Sequence, residues 1–145
     1  GGVFVDELIH GQHAVLKIVR PLLKGRQNLA VCHPIYLYNH NYYLRTRKGD
    51  TFRSIGEETG ISYRKIAKAN ERDKNDQLKE GEIIYLKKKR SKAENQFRNR
   101  PHIVRSGESL YSISQIYGIK LKSLYRMNHF ETNHRIVVGD KIRVY

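Results

Sequence analysis

The phrase GDTFRSIGEETGIS, Gly49 to Ser62, returns as GESLYSISQIYGIK, Gly107 to Lys120. Sliding the sequence by 58 residues lays 45–86 on 103–144 with no gap. The identical pairs are Arg47/Arg105, Gly49/Gly107, Ser54/Ser112, Ile55/Ile113, Gly60/Gly118, Ile61/Ile119, Asn70/Asn128, Asn75/Asn133, Gly81/Gly139 and Ile84/Ile142. Core-type positions keep apolar character: Phe52/Leu110, Ile66/Leu124, Leu78/Ile136 and Leu86/Val144. A repeated phrase marks a repeated structural unit, so the 145 residues divide into two very small domains. Units of about 45 residues sit near the lower limit for folding alone. The single Cys32 offers neither a disulfide framework nor a metal-ligand cluster, and so leaves the compartment open.

Each copy carries the same local signals. A short extended run, Tyr43 to Arg47 or His102 to Arg105, reaches a glycine, and Thr51 or Ser109 is then placed to cap a helix. Apolar residues recur at helical spacing, Phe52 and Ile55 in one copy and Leu110, Ile113 and Ile116 in the other. Gly60 and Gly118 stop that helix, because glycine adopts the left-handed conformation cheaply. A second helix follows, with Tyr63, Ile66 and Ala67 or Leu121, Leu124 and Tyr125 on one face, and runs to Asn70 or Asn128. After a polar loop and Gly81 or Gly139 comes a strand, clearest in Lys141 to Tyr145, where outward and inward positions alternate and one face is wet. Each unit reads strand, helix, helix, strand, with the helices packed on one face of an antiparallel pair.

Between the copies, Lys87, Lys88, Lys89, Arg90, Lys92, Arg98 and Arg100 stand against Glu94 in a stretch closed by Pro101. Such a charge run is expected to be a solvated linker, mobile enough to leave the units without a fixed relation. The expected boundaries are an N-terminal segment 1–42, a first module 43–88, a basic linker 89–101 and a second module 102–145. In the N-terminal segment HAVLKIVRPLL suggests a short amphipathic helix broken at Pro21, and HPIYLYNHNYYLRT an extended run. Its fold is left open.

The net charge of +14 points to an anionic partner surface without choosing among nucleic acid, anionic lipid and bacterial cell wall. No apolar run approaches the roughly 18 to 20 residues of a membrane span. The start GGVFVDELIH lacks the form of a signal peptide. The chain is therefore expected to be either intracellular or a piece whose targeting signal lies upstream, and Gly1-Gly2 fits a cloning remnant.

The recurring pattern resembles the LysM domain: Gly49-Asp50-Thr51-Phe52, Ser54-Ile55, Gly60-Ile61, Asn70, Leu78, Gly81 and Ile84, then Gly107-Glu108-Ser109-Leu110, Ser112-Ile113, Gly118-Ile119, Asn128, Ile136, Gly139 and Ile142. With HPIYLYNHNYY upstream, the pair also looks like the C-terminal region of bacterial glucosaminidases that cut peptidoglycan. The resemblance implies an α+β chain of two small βααβ LysM modules that bind N-acetylglucosamine-containing glycan, peptidoglycan or a chitin-like polymer, and anchor a hydrolase. It implies a groove between the loop after the first strand and the loop before the last. Carried onto this chain, the first groove is Gly49, Asp50, Thr51 and Phe52 facing Gln77, Leu78 and Lys79. The second is Gly107, Glu108, Ser109 and Leu110 facing Arg135, Ile136 and Val137. Glu108-Ser109 departs from the family's Asp-Thr, and the usual proline after the asparagine is absent, with Arg72 or Phe130 nearby.

An amino sugar offers hydroxyls, an acetamido donor and acceptor, and a methyl, which backbone amides beside an apolar wall can read. The resemblance implies a monomer at the cell envelope or secreted, with no cofactor, no catalytic residue and no metal. Asp50-Thr51 and Glu108-Ser109 are expected first as helix caps, Phe52 and Leu110 as core, and Asn70 and Asn128 as residues that satisfy turn backbone. His10, His13, His33 and His40 lack the companions of a zinc site. Asp6-Glu7 cannot flank a sugar as a glycosidase pair does, and no nucleophile elbow occurs. Tyr111, Tyr117, Tyr125 and Arg126 beside the basic run raise the alternative, a nucleic-acid or polyanion binder, but the tyrosines fall at helical spacing and read as packing residues.

Overall fold

The computed structural model describes residues 33–145. The HAVLKIVRPLL helix, His10 and His13, and Asp6-Glu7 lie outside the described residues. The chain divides after Lys88 into two compact units.

In the first unit β1 (Tyr36–Tyr38) and β2 (Asn41–Arg45) form a hairpin. Its turn residues Asn39 and His40 both take positive φ, 47° and 58°, the combination a tight two-residue hairpin requires. Helices α1 (Phe52–Thr59) and α2 (Tyr63–Ala69) follow, and β3 (Ile83–Tyr85) returns antiparallel to β2, pairing Leu44 with Ile84 and Tyr43 with Tyr85. The period of two sends Leu44, Ile84 and Leu86 into one core with Ile35, Phe52, Ile55, Ile66 and Ala67. Tyr43 and Tyr85 go to the other face and cluster with Tyr38 and Ile83. The wet outer face expected of the last strand is therefore absent here: Ile83, Ile84 and Tyr85 are all buried. The extended HPIYLYNHNYYLRT explains why, because it adds a third strand and its tyrosines stack across the sheet, Tyr36 on Tyr43 at 5.1 Å between centroids.

The second unit has the barer pattern. Strand β4 (His102–Ile103) pairs antiparallel with β5 (Lys141–Ile142), and α3 (Leu110–Tyr117) and α4 (Leu121–Met127) lie between them in sequence. From Lys141 to Val144 exposed and buried residues alternate as expected.

Local chemistry at the helix ends follows the repeat. Thr51 and Ser109 accept the N–H of Ser54 and Ser112, whose hydroxyls accept the cap amides in return, a reciprocal box at both first helices. Gly60 and Gly118 end those helices at φ 75° and 64°. Buried Asn70 donates to the Ile66 and Tyr85 carbonyls and accepts the Tyr85 N–H, tying the end of α2 to β3. Asn128 does the same with Leu124 and Arg143.

Residues 89–101 depart from the solvated linker expected of their charge. Lys89 is buried, with its Nζ 2.7 Å from Gln115 Oε1. The Arg90 backbone donates to the Gly118 carbonyl and accepts the Lys120 N–H. Buried Ala93 donates to the Val144 carbonyl, and after a 3₁₀ turn at Asn95–Phe97 the Phe97 ring meets Tyr117 edge-on at 5.1 Å. A lysine stem can be buried while its head finds a neutral acceptor. Net charge therefore did not reveal this strap. The remaining cations Lys87, Lys88, Arg90, Lys92, Arg98 and Arg100 are exposed.

Gly56 sits where α1 meets the chain entering α2. A Cβ there would lie 2.8 Å from the Ile61 carbonyl oxygen and 3.1 Å from the Tyr63 nitrogen. Alanine favours helix over glycine by about 1 kcal/mol, yet Gly56→Ala is expected to destabilise the first module by roughly 1–3 kcal/mol, because backbone must move. Urea unfolding followed by residue-resolved NMR reads this, and an unchanged or raised midpoint would refute the close-approach account.

Candidate functional site

The pairing of first and last strands sets the site. Thr46, just past β2, donates its N–H to the Glu82 carbonyl and accepts the Gly81 N–H, while its hydroxyl accepts from Glu82 N–H and donates to the Lys79 carbonyl. The loop after β2 and the loop before β3 thus leave the sheet side by side. Between them lies a cleft of about 500 Å³ lined by Gly49, Asp50, Thr51 and Arg53 on one side and Lys74, Asn75, Asp76, Gln77 and Leu78 on the other.

Five of the seven residues expected in the first groove therefore line one cleft. Phe52 instead is fully buried in the core. Lys79 lies past the lining, its N–H donated to Glu82 Oε2 at 2.7 Å. The Asp50 carboxylate is turned inward. It accepts the Arg47 N–H at 2.6 Å and lies 2.6 Å from His33 Nε2. It is therefore a staple of its own loop, and the helix cap is Thr51 alone. Thr51 and Gln77 are exposed, and Leu78 packs its inner side on the core. Sequence reasoning missed Arg53, Lys74, Asn75 and Asp76. Arg53 stands within the Thr51–Ser54 capping box, with its guanidinium 4.3 Å over the Tyr63 ring.

The second loop is fixed by Arg72. Its guanidinium reaches Asp76 Oδ2 at 2.9 Å, Glu82 Oε1 at 3.1 Å and the Gln77 carbonyl at 3.0 Å. Such partly exposed pairs contribute little stability; what they supply is the position of Asp76 and Gln77. The Arg72 guanidinium holds the Asp76 carboxyl below the usual carboxylate range.

In the second module Val104 donates to the Asp140 carbonyl and accepts the Gly139 N–H, repeating the Thr46 backbone pattern. Glu108 Oε1 accepts the Arg105 N–H at 2.7 Å, as Asp50 does for Arg47. Asp140 Oδ2 accepts the Val137 N–H at 2.9 Å, as Glu82 does for Lys79. Leu110 is buried like Phe52. Gly107, Ser109, Arg135 and Val137 are exposed, and Glu108 and Ile136 half-buried. In place of Arg72 and Asp76 stand Phe130 and His134, stacked at 3.6 Å with their planes 7° apart. One loop is braced by charge, the other by a ring stack.

Residues 45–87 and 102–144, together more than half of the chain, match the LysM domain. The chain belongs to the LysM domain family. No curated protein matches it. Among solved structures, it is similar to the Bacillus cereus spore cortex-lytic enzyme SleL, at 26% identity over 71% of this chain and 22% of that one, with a TM-score of 0.31. It is also similar to the Bacillus megaterium QM B1551 spore cortex-lytic enzyme SleL, at 19% identity over 70% and 22% of the two chains, with a TM-score of 0.30. The LysM chain thus spans less than a quarter of either enzyme's length. Among the described residues, no helix is long and apolar enough to cross a membrane.

If Arg72 sets the second loop, Arg72→Ala raises the Asp76 pKa back toward its ordinary value. The stabilising pair is complete above the ordinary carboxylate range and lost as pH falls through the lowered value. Carboxyl-carbon NMR titration reads this, and an unmoved Asp76 would show that Arg72 is not the cause.

Proposed function

We propose that this LysM chain is a noncatalytic glycan-binding unit that takes N-acetylglucosamine-containing polymer, above all peptidoglycan, and anchors an attached cell-wall hydrolase at the cell envelope. The observation that carries the reading is the first cleft, where two loops leave exposed backbone and the polar Thr51 and Gln77 beside the apolar Leu78. That combination suits an amino sugar, whose hydroxyls and acetamido group need hydrogen bonds while its methyl needs an apolar contact. LysM domains as a family bind such glycans.

The net charge of +14 supports a wall polymer bearing carboxylates over neutral chitin, since it draws the chain toward an anionic matrix. One shallow cleft binds weakly. Two modules on one polymer raise the apparent affinity by roughly 10²-fold or more where both engage. The likeness of HPIYLYNHNYY and the module pair to glucosaminidase tails supports a hydrolase as the attached enzyme; muropeptide release by this chain alone is not expected.

The exposed cations Lys87, Lys88, Arg90, Lys92, Arg98 and Arg100 favour a second reading, a nucleic-acid or polyanion binder. Salt separates the two, because counterion return weakens phosphate contacts steeply while packing and neutral hydrogen bonds change little. In a pull-down on purified peptidoglycan at low and high salt, with duplex DNA as competitor, retention is expected throughout. Retention abolished by salt or by DNA would decide for the polyanion binder.

A further inference from the structure

The first loop of each module is held from below by a buried histidine, and the two histidines come from unrelated positions. The repeat-mate of His102 is Leu44, and that of His33 is Ser91. His33 also lies before the LysM match, which begins at residue 45. Both nonetheless join the end of the first helix to the acid of the first loop. In the first module His33 Nδ1 is 2.9 Å from Glu58 Oε2, and Nε2 is 2.6 Å from Asp50 Oδ2, the oxygen that also accepts the Arg47 N–H. In the second, His102 Nδ1 is 2.8 Å from the Tyr117 hydroxyl, and Nε2 is 2.8 Å from Glu108 Oε1, the oxygen that also accepts the Arg105 N–H.

The two clasps differ in what they demand of the ring. Ionised carboxylates only accept hydrogen bonds, so His33, facing one at each nitrogen, fills both bonds only with both nitrogens protonated. A tyrosine hydroxyl donates or accepts. His102 keeps both bonds as a neutral ring, with Nε2–H to Glu108 and Nδ1 accepting from Tyr117, or as a cation. We propose that His33 and His102 are positioning residues for the first loop of each module, His33 acting only as imidazolium and His102 in either protonation state. For its ligand this rests on the glycan reading above; the clasps do not.

The titratable and charged groups facing His33 are Glu58 on α1 and Asp50 on the loop; those around His102 are Glu108, Tyr117 and, beside Tyr117, Arg105. The hydrogen bond to Glu58, against burial and with help from Asp50, raises His33 above its ordinary value of 6.5. Burial pushes the Tyr117 phenol well above its usual range, so its proton stays in place. Because the folded value for His33 is raised, its clasp is complete below about pH 6.5 and is lost as pH rises through the raised value.

The test uses the full chain, isotope-labelled and titrated with an N-acetylglucosamine hexamer from about pH 5 to about pH 9. Affinity read at Gly49, Thr51 and Gln77 is expected to fall by about tenfold or more across the range, and at Gly107, Ser109 and Ile136 by less than about twofold. Glu58→Gln replaces one acceptor by an amide able to donate to Nδ1, so a neutral ring suffices and the first-module profile flattens. Equal profiles in the two modules, or a Glu58→Gln profile as steep as the parent's, overturn the proposal. A ligand-free arm compares amide-exchange protection at Arg47 and Arg105 with the ring-nitrogen titration of His33 and His102. Protection at Arg47 must fall as His33 loses its proton while Arg105 holds; an Arg47 amide indifferent to His33 overturns the proposal. Should the hexamer shift no cleft amide at any pH, the glycan reading fails and this arm still decides the clasp.

Discussion

Each module depends on one backbone event, the antiparallel closure of its first strand on its last across two intervening helices. The bonds of Thr46 with Glu82 and Gly81, and of Val104 with Asp140 and Gly139, bring together segments more than thirty residues apart in sequence. Ladders of three and two residue pairs would not hold that closure alone. The asparagine at the end of each second helix adds one hydrogen bond to its own helix and two to the last-strand segment. A cleft between two loops is then a consequence of where the strands end.

The repeat keeps backbone roles and lets side chains change. Thr46 and Val104 make the same main-chain bonds, although only the threonine adds a hydroxyl that reaches Lys79. Arg72 with Asp76 and Phe130 with His134 fill the same two positions by different chemistry. The loop acid is one methylene longer in the second module, and the histidine that meets it comes from the adjoining strand rather than from ahead of the sheet. Equivalent geometry is thus reached with unequal charge, and the modules need not respond alike to salt or pH.

What could be read from the sequence is what local chemistry determines. The cap at Thr51, the left-handed stop at Gly60, the turn role of Asn70 and the alternation from Lys141 to Val144 each follow from a few neighbouring residues, and the repeat states them twice. The βααβ order was legible for the same reason, whereas the convergence of Gly49 to Thr51 with Gln77 and Leu78 was what the LysM resemblance implied. Relations between distant residues were not. Nothing near His33 in sequence announces Glu58 or Asp50, and a run of cations does not reveal that Lys89 alone will find Gln115. The third strand needed partners for Tyr36 and Tyr38 that only the folded sheet identifies, and Arg53 and Lys74 entered the cleft through the pitch of a helix and the path of a loop.

If both modules engage one polymer as proposed, small differences between them matter. Apparent affinity in a two-site chain scales with the product of one site's affinity and the effective concentration seen by the other. Losing one cleft therefore removes the whole linkage gain of roughly 10²-fold, where the loss of half the sites of an unlinked mixture would only halve occupancy. If the first loop needs a protonated His33 and the second is indifferent to the charge on His102, loss of one proton would remove the linkage gain and leave a single weak contact to the polymer. Retention and mobility on a wall matrix would be set by the less tolerant module, and the residue that sets it lies ahead of the matched LysM sequence, where a search confined to the domain would not look.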